Sequence, residues 1–193
     1  MIAALYVDLL GPYPALLGFE NCWDASRDAR EYSGRGPIVA HPPCGPWCKL
    51  KHQYQGAEHD CAIRAVTQVR AFGGVLEQPA GSKLWDACAL PRPGELPDAL
   101  GGYSIAVNQC DFGHVARKPT WLYLVGVPRE AITLPPAREP THWASGSRGA
   151  GRANSSGTGG GVPPGMKVCS AQQRRRTPIA FAQWLIALAE LAR

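Results

Sequence analysis

The residues best suited to chemistry lie in Pro42-Pro43-Cys44-Gly45-Pro46, directly after the apolar, partly β-branched run Pro37-Ile38-Val39-Ala40-His41. Proline fixes φ and cannot donate to a sheet ladder, so the run reads as a buried strand that stops at the prolines and delivers a stiff loop. Cys44 then stands at the carboxyl end of a parallel strand, the edge of an open α/β sheet at which ligands bind. A thiol held there in advance has already lost the orientational entropy that a nucleophile otherwise gives up in the reaction. A free cysteine is also a small apolar core residue, and both readings stay open because only the thiolate attacks. His41, Cys44, Cys48 and His52, with His59 and Cys61 after them, are zinc-capable ligands at short spacings. They contain no Cys-x-x-Cys pair, and a proline-flanked loop is an awkward tetrahedral host, so zinc is an alternative that is not favoured. Cys22, Cys61, Cys88, Cys110 and Cys169 read as structural.

The elements that must position Cys44 follow from periodicity. His59 to Phe72 reads as a helix, because Cys61, Ala65, Val66, Val69 and Phe72 recur at helical steps and Gly73-Gly74 ends the pattern. The return strand, Gly74-Val75-Leu76-Glu77, brings a carboxylate beside the cysteine loop if the crossover is right-handed. Such a carboxylate is costly without a partner, and Arg117, Lys118 or Lys83 could pair with it. Ile2 to Val7 reads as a first, central strand that ends at Asp8. Tyr103 to Gln109 alternates like a half-buried strand and Thr120 to Val127 is the strongest strand signal; the polar loop between them carries Gln109, His114, Arg117 and Lys118. Glu20 to Tyr32 is polar enough for a short helix capped by Asp24 or Ser26, and Leu84 to Gly102 for a loop with a short helical turn. At the other end Thr177 caps and Pro178 opens an amphipathic helix over about 178–192, with Phe181, Trp184, Leu185, Leu188 and Leu191 as its core stripe. The Arg174-Arg175-Arg176 run before it is either a phosphate-binding lip or a solvated turn.

These residues carry a resemblance. Pro42-Pro43-Cys44, then Val75-Leu76-Glu77-Gln78-Pro79, then Gln109 with Arg117-Lys118 are similar, in the same order, to the Pro-Cys loop, the strand-end Glu-Asn motif and the Gln-x-Arg-x-Arg segment of DNA cytosine-5 methyltransferases. The resemblance spans roughly residues 1 to 128. It implies an α/β fold with an open, Rossmann-like, mostly parallel sheet that has an antiparallel end and is abbreviated, formed as a single domain over residues 1–193. It implies that S-adenosylmethionine is the cofactor and that Cys44 adds to carbon 6 of a pyrimidine. Glu77 would hold the ring, and Arg117 would act beside them. Gln109 and Lys118 would contact the base or its phosphate, and Asp8, Gly11 and Pro42 would hold the cofactor; Arg174, beyond the span of the resemblance, is a substrate contact by the chemistry of its guanidinium with phosphate. The loop from Asp8 to Pro14 has one glycine where the family has two, so the implied cofactor pocket is abbreviated. The partner would be DNA or a pyrimidine nucleotide, and a separate target-recognition subunit could supply the recognition region for which this chain has no long insertion. The rival from another class is a non-catalytic nucleic-acid-binding or protein-binding module on a degenerate methyltransferase scaffold.

The totals agree with either. A chain of 193 residues with 45% hydrophobic content can build one core. No stretch approaches a membrane span and no secretory signal is visible, so a cytoplasmic protein with no membrane partner is expected. Seven cysteines at irregular spacings suit a reducing compartment. The net charge of +5 suits a polyanion, though much of it sits in the arginine cluster. The Gly/Ser-rich stretch at about 145–165 reads as a flexible loop that its two arginines, Arg148 and Arg152, could close over phosphate.

Overall fold

A computed structural model describes residues 1–48, 58–144 and 162–192. The central feature is a six-stranded sheet in the order β2-β1-β3-β4-β6-β5. Its strands are β1 (Ala3–Leu5), β2 (Cys22–Trp23), β3 (Ile38–Ala40), β4 (Gly74–Pro79), β5 (Tyr103–Asn108) and β6 (Pro119–Val125). The first four run parallel, and β6 pairs antiparallel with both β4 and β5. The fold is therefore α/β with a parallel part and an antiparallel end, as expected.

Both faces of the sheet are covered, which is why β1 and β3 are apolar at every position and buried throughout. On one face Ala4, Val39, Val75, Leu122 and Leu124 pack against Phe181, Leu185 and Leu188 of the C-terminal helix. On the other, Leu5, Ile38, Ala40 and Leu76 pack against Ala62, Ala65, Val66 and Val69 of the helix at His59–Phe72. That helix has the bounds its periodicity predicts and stops at Gly73, whose N–H donates to the Val69 carbonyl while φ sits at 77°. Leu84–Ala87 supplies the short helical turn expected between β4 and β5.

Three expectations need correction. The segment Glu20 to Tyr32 forms no helix capped by Asp24 or Ser26: Cys22–Trp23 pairs with β1 as an edge strand, and a single 3-10 turn follows at Ala29–Glu31. The Asp24 carboxylate accepts the backbone N–H groups of Ser26 and Arg27 at 3.0 and 3.1 Å, a local turn that competes with helix. Asp28, at φ 42°, takes the cap role instead by accepting from the Arg30 N–H. At the C-terminal helix, Ile179–Glu190, Pro178 is the N-cap and no side chain caps it, so Thr177 does not have that role. Leu191 lies one residue beyond this helix and is 39% exposed, outside the stripe that Phe181, Leu185 and Leu188 bury. A further helix, Ala171–Arg175, precedes it with a full capping box in which Ser170 and Gln173 satisfy each other's backbone N–H groups. No helix among the described residues is long and apolar enough to cross a membrane. His52 and all but the last four residues of the Gly/Ser-rich stretch at 145–165 lie outside the described residues.

Candidate active site

In the parallel part of the sheet the strand order reverses between β1 and β3, since β2 lies on one side of that pair and β4 on the other. Ligands of open α/β sheets bind outside the carboxyl ends of the strands at such a point. A cleft of about 1440 Å³ opens there. It exceeds the roughly 300–1,000 Å³ of a pocket for a single drug-sized ligand, so it has room for a cofactor and a substrate together.

Register decides what meets in the cleft. Leu5 pairs with Ala40 and Ala40 with Leu76, so Tyr6 and His41, each just past its strand, stand in line with Glu77, which lies within β4 and pairs with Leu122 of β6. The loop after β3 is tied at several points. The His41 N–H donates to the Leu5 carbonyl at 3.0 Å and the Lys83 N–H to the Trp47 carbonyl at 2.9 Å. The buried Gln78 amide donates to the Pro42 carbonyl, and the Ser82 hydroxyl donates back to Gln78. With Pro42, Pro43 and Pro46 fixing φ, this loop is held on both flanks and presents Cys44 into the cleft. Cys44 is exposed as a residue. It lines the cleft, where partial burial pushes the thiol up, with the charges of Glu77 and Cys48 adding to it.

Glu77 is buried, and its carboxylate is well held. His41 Nδ1 lies 3.0 Å from Oε2, and Gln109 Nε2 donates to Oε1 at 3.0 Å and to the Thr120 hydroxyl at 3.1 Å. Burial alone would raise the Glu77 carboxyl. The His41 contact, the Lys118 charge and Thr120 outweigh it, so the group titrates below its ordinary value and is ionised at neutral pH. On its far side His41 Nε2 meets the Tyr13 hydroxyl at 2.5 Å, and the two rings are 5.2 Å apart. Burial, the Glu77 charge and Cys22 hold the Tyr13 phenol well above its ordinary value.

The cleft brings together Asp8, Gly11, Pro42, Cys44, Glu77 and Lys118, and Arg174 reaches it from the short helix Ala171–Arg175. Arg117 is not among the residues that line it; its neighbour Lys118 is the cation on that wall. Gln109 is buried behind Glu77 and acts on the carboxylate rather than on the cleft. Gly11 is used by its own turn, since its N–H donates to the Asp8 carbonyl at 2.9 Å and a Cβ there would come within 2.9 Å of that oxygen. The Asp8 carboxylate accepts the Leu10 N–H at 2.9 Å through Oδ1. His114 joins the cleft to the arginines: its Nδ1 meets the Ala116 carbonyl at 2.7 Å and its Nε2 the Gln173 carbonyl at 3.0 Å.

Sequence reasoning missed Tyr13 and Thr120 and considered His41 only as a metal ligand. Nothing local marks these residues, because each finds its partner through the sheet. Among the described residues no group of three or more His, Cys, Asp or Glu side chains is arranged to hold a metal ion. In comparisons with known proteins, no family model matches this chain and no curated protein is a significant match.

Proposed function

We propose that the chain is a Rossmann-like, base-modifying enzyme similar to DNA cytosine-5 methyltransferases, in which Cys44 forms a transient adduct with a pyrimidine. The observation that carries this reading is that a thiol on the proline-stiffened loop after β3 and a buried, ionised carboxylate on the neighbouring strand β4 line one cleft, beside the switch point of the sheet. A methyl donor fits the cleft by its size and by the turn from Asp8 to Gly11 at the carboxyl end of β1. S-adenosylmethionine held by Asp8, Gly11 and Pro42 would supply an electrophilic methyl group.

The chain's own residues do the rest. The Cys44 thiol loses its proton to solvent and the sulfur adds to carbon 6 of the ring. Glu77 accepts N–H groups from the pyrimidine edge and so orients it, while Lys118 offsets the negative charge that builds on the ring. Carbon 5, now nucleophilic, would take the methyl group that the cofactor supplies; loss of the carbon 5 proton to solvent then expels the sulfur and restores the ring. The net change is one methyl for one proton on the base. A base in duplex DNA has to leave its stack to reach Cys44, whereas a single strand or free nucleotide does not. Arg174, Arg175 and Arg176 on the rim supply phosphate contacts.

DNA carrying 5-fluorocytosine, incubated with S-adenosylmethionine, tests this reading, because fluorine cannot leave as the proton does and the adduct is trapped. The expected result is a covalent complex that maps to Cys44 and is absent from Cys44→Ser. Methyl transfer that persists in Cys44→Ser, or an adduct on another cysteine, removes the assignment. The rival reading, a binding module, is favoured by the raised Cys44 thiol, which leaves little thiolate at neutral pH. It predicts no heat of binding with S-adenosylmethionine while nucleic-acid binding is retained.

A further inference from the structure

We infer that Tyr13 and His41 form a positioning pair: the Tyr13 hydroxyl proton occupies His41 Nε2, the imidazole proton is thereby placed on Nδ1, and Glu77 is held as an acceptor whose remaining lone pairs serve the substrate. The proposal rests on the reading of Cys44 and Glu77 as one site, and it concerns groups which that reading leaves without a task.

The argument is hydrogen-bond accounting. Tyr13 is 2% exposed, and among the described residues its hydroxyl has one partner, His41 Nε2. A buried hydroxyl that cannot donate costs what any unsatisfied donor costs, so its proton belongs on the contact with Nε2. That nitrogen is then an acceptor, and in a neutral imidazole the other nitrogen must carry the proton. The other nitrogen is Nδ1, 3.0 Å from Glu77 Oε2. Deprotonated tyrosine is excluded as the alternative, because Tyr13 is held well above its ordinary range by burial and the nearby Glu77 charge.

The groups around this chain of contacts point the same way. Tyr13 comes from the helix Tyr13–Leu17, Glu77 from β4, and Cys44 from the loop after β3. Lys118 approaches from the segment before β6, and Cys22 faces Tyr13 from β2. Lys118 adds its charge to the His41 contact in holding Glu77 ionised. An ionised carboxylate offers about four acceptor positions. His41 takes one on Oε2 and Gln109 one on Oε1, and Thr120 also bears on the carboxylate, which leaves room for an N–H donor of a substrate. The pair thus favours a ring edge bearing an amino group over one bearing a carbonyl oxygen, since the latter would set two acceptors against each other.

Nitrogen-15 NMR of the full chain labelled at histidine reads the tautomer directly, with His41→Asn identifying the signal. The wild type is expected to show His41 protonated at Nδ1. Tyr13→Phe, which keeps the ring packed against His41, is expected to move population to the Nε2-protonated form. In methyl transfer, His41→Leu should lose about tenfold or more in kcat, the scale of removing a hydrogen bond to a charged group. His41→Asn should recover most of it, because its amide N–H sits close to the position of Nδ1–H. An Nε2-protonated His41 in the wild type overturns the pair, as does a tautomer that Tyr13→Phe leaves unchanged or a His41→Asn no better than His41→Leu. If the expected tautomers are found in a chain that transfers no methyl group, the pair stands and the proposed function falls.

Discussion

Cys44 and Glu77 influence each other through space, so a change at one should be legible at the other. Burial comes first in raising the Cys44 thiol and the Glu77 charge second, which places its thiolate above the ordinary value of 9.0. Alkylation by iodoacetamide follows the thiolate. Labelling of Cys44, followed by peptide mapping to separate it from the other cysteines, should therefore be slow at neutral pH and still be climbing beyond pH 9.0. Glu77→Gln removes the charge while keeping the shape, so the same labelling should become faster and its pH curve should move down. Methyl transfer should move in the opposite direction, by a factor on the order of a hundred, the usual effect of deleting one preorganised hydrogen-bonding group at a reacting centre. A Glu77→Gln protein with unchanged Cys44 labelling would show that the two groups are not neighbours in solution, and one with unchanged transfer would remove Glu77 from the site.

At the scale of elements, the site depends on a single alignment, that of β3 with β4. Gly74 begins β4 with φ at 111°, and a Cβ there would come within 2.0 Å of the Ile38 carbonyl oxygen in β3. Gly74→Ala therefore combines a positive-φ penalty with an overlap onto backbone that cannot rotate away. The expected cost is roughly 3 kcal/mol or more, from about 1–3 kcal/mol for each of the two effects. It should be measured as a fall in thermal stability; because Cys44 follows β3 and Glu77 lies in β4, weaker trapping in the folded fraction should accompany it. A Gly74→Ala protein as stable as the wild type would mean that the strands are not in this register. Much of this architecture is legible in the sequence: the helix at His59–Phe72 has three turns of period and a Gly-Gly stop, and β6 has a run of β-branched, aromatic and leucine residues after Pro119. The two-residue strand Cys22–Trp23 is not, because a pair of residues carries no period and owes its state to β1. The same reason hides the Tyr13–His41–Glu77 contacts. Tyr13 and His41 are 28 residues apart, and His41 and Glu77 are 36 apart, so only the register brings them together. The exclusion of Arg117 from the cleft beside Lys118 likewise depends on how the chain enters β6.

For the whole molecule, what matters is where the charge lies relative to the chemistry. The net charge is +5, and Lys118, Arg174, Arg175 and Arg176 line the cleft against Asp8 and Glu77. The capping box at Ser170 and the contact of His114 with the Gln173 carbonyl fix the short helix that carries the arginines, so they are presented rather than merely present. A surface of this kind binds phosphates by releasing counterions, and its affinity falls linearly in log–log form with salt. The slope is about −0.9 per neutralised phosphate for duplex DNA and about −0.7 for single strands. Binding of a fluorescent oligonucleotide measured from low to high salt should show such a slope. Arg175→Gln and Arg176→Gln, both at exposed positions, should each reduce its magnitude by about one while weakening binding evenly across sequences. Cys44→Ser should leave slope and affinity as they are, because the thiol touches the base and not the backbone. If the slopes of the arginine variants match the wild type, nucleic acid does not lie along this rim. If Cys44→Ser weakens binding as much as the arginine variants do, the division between a phosphate-binding rim and a reacting floor is wrong.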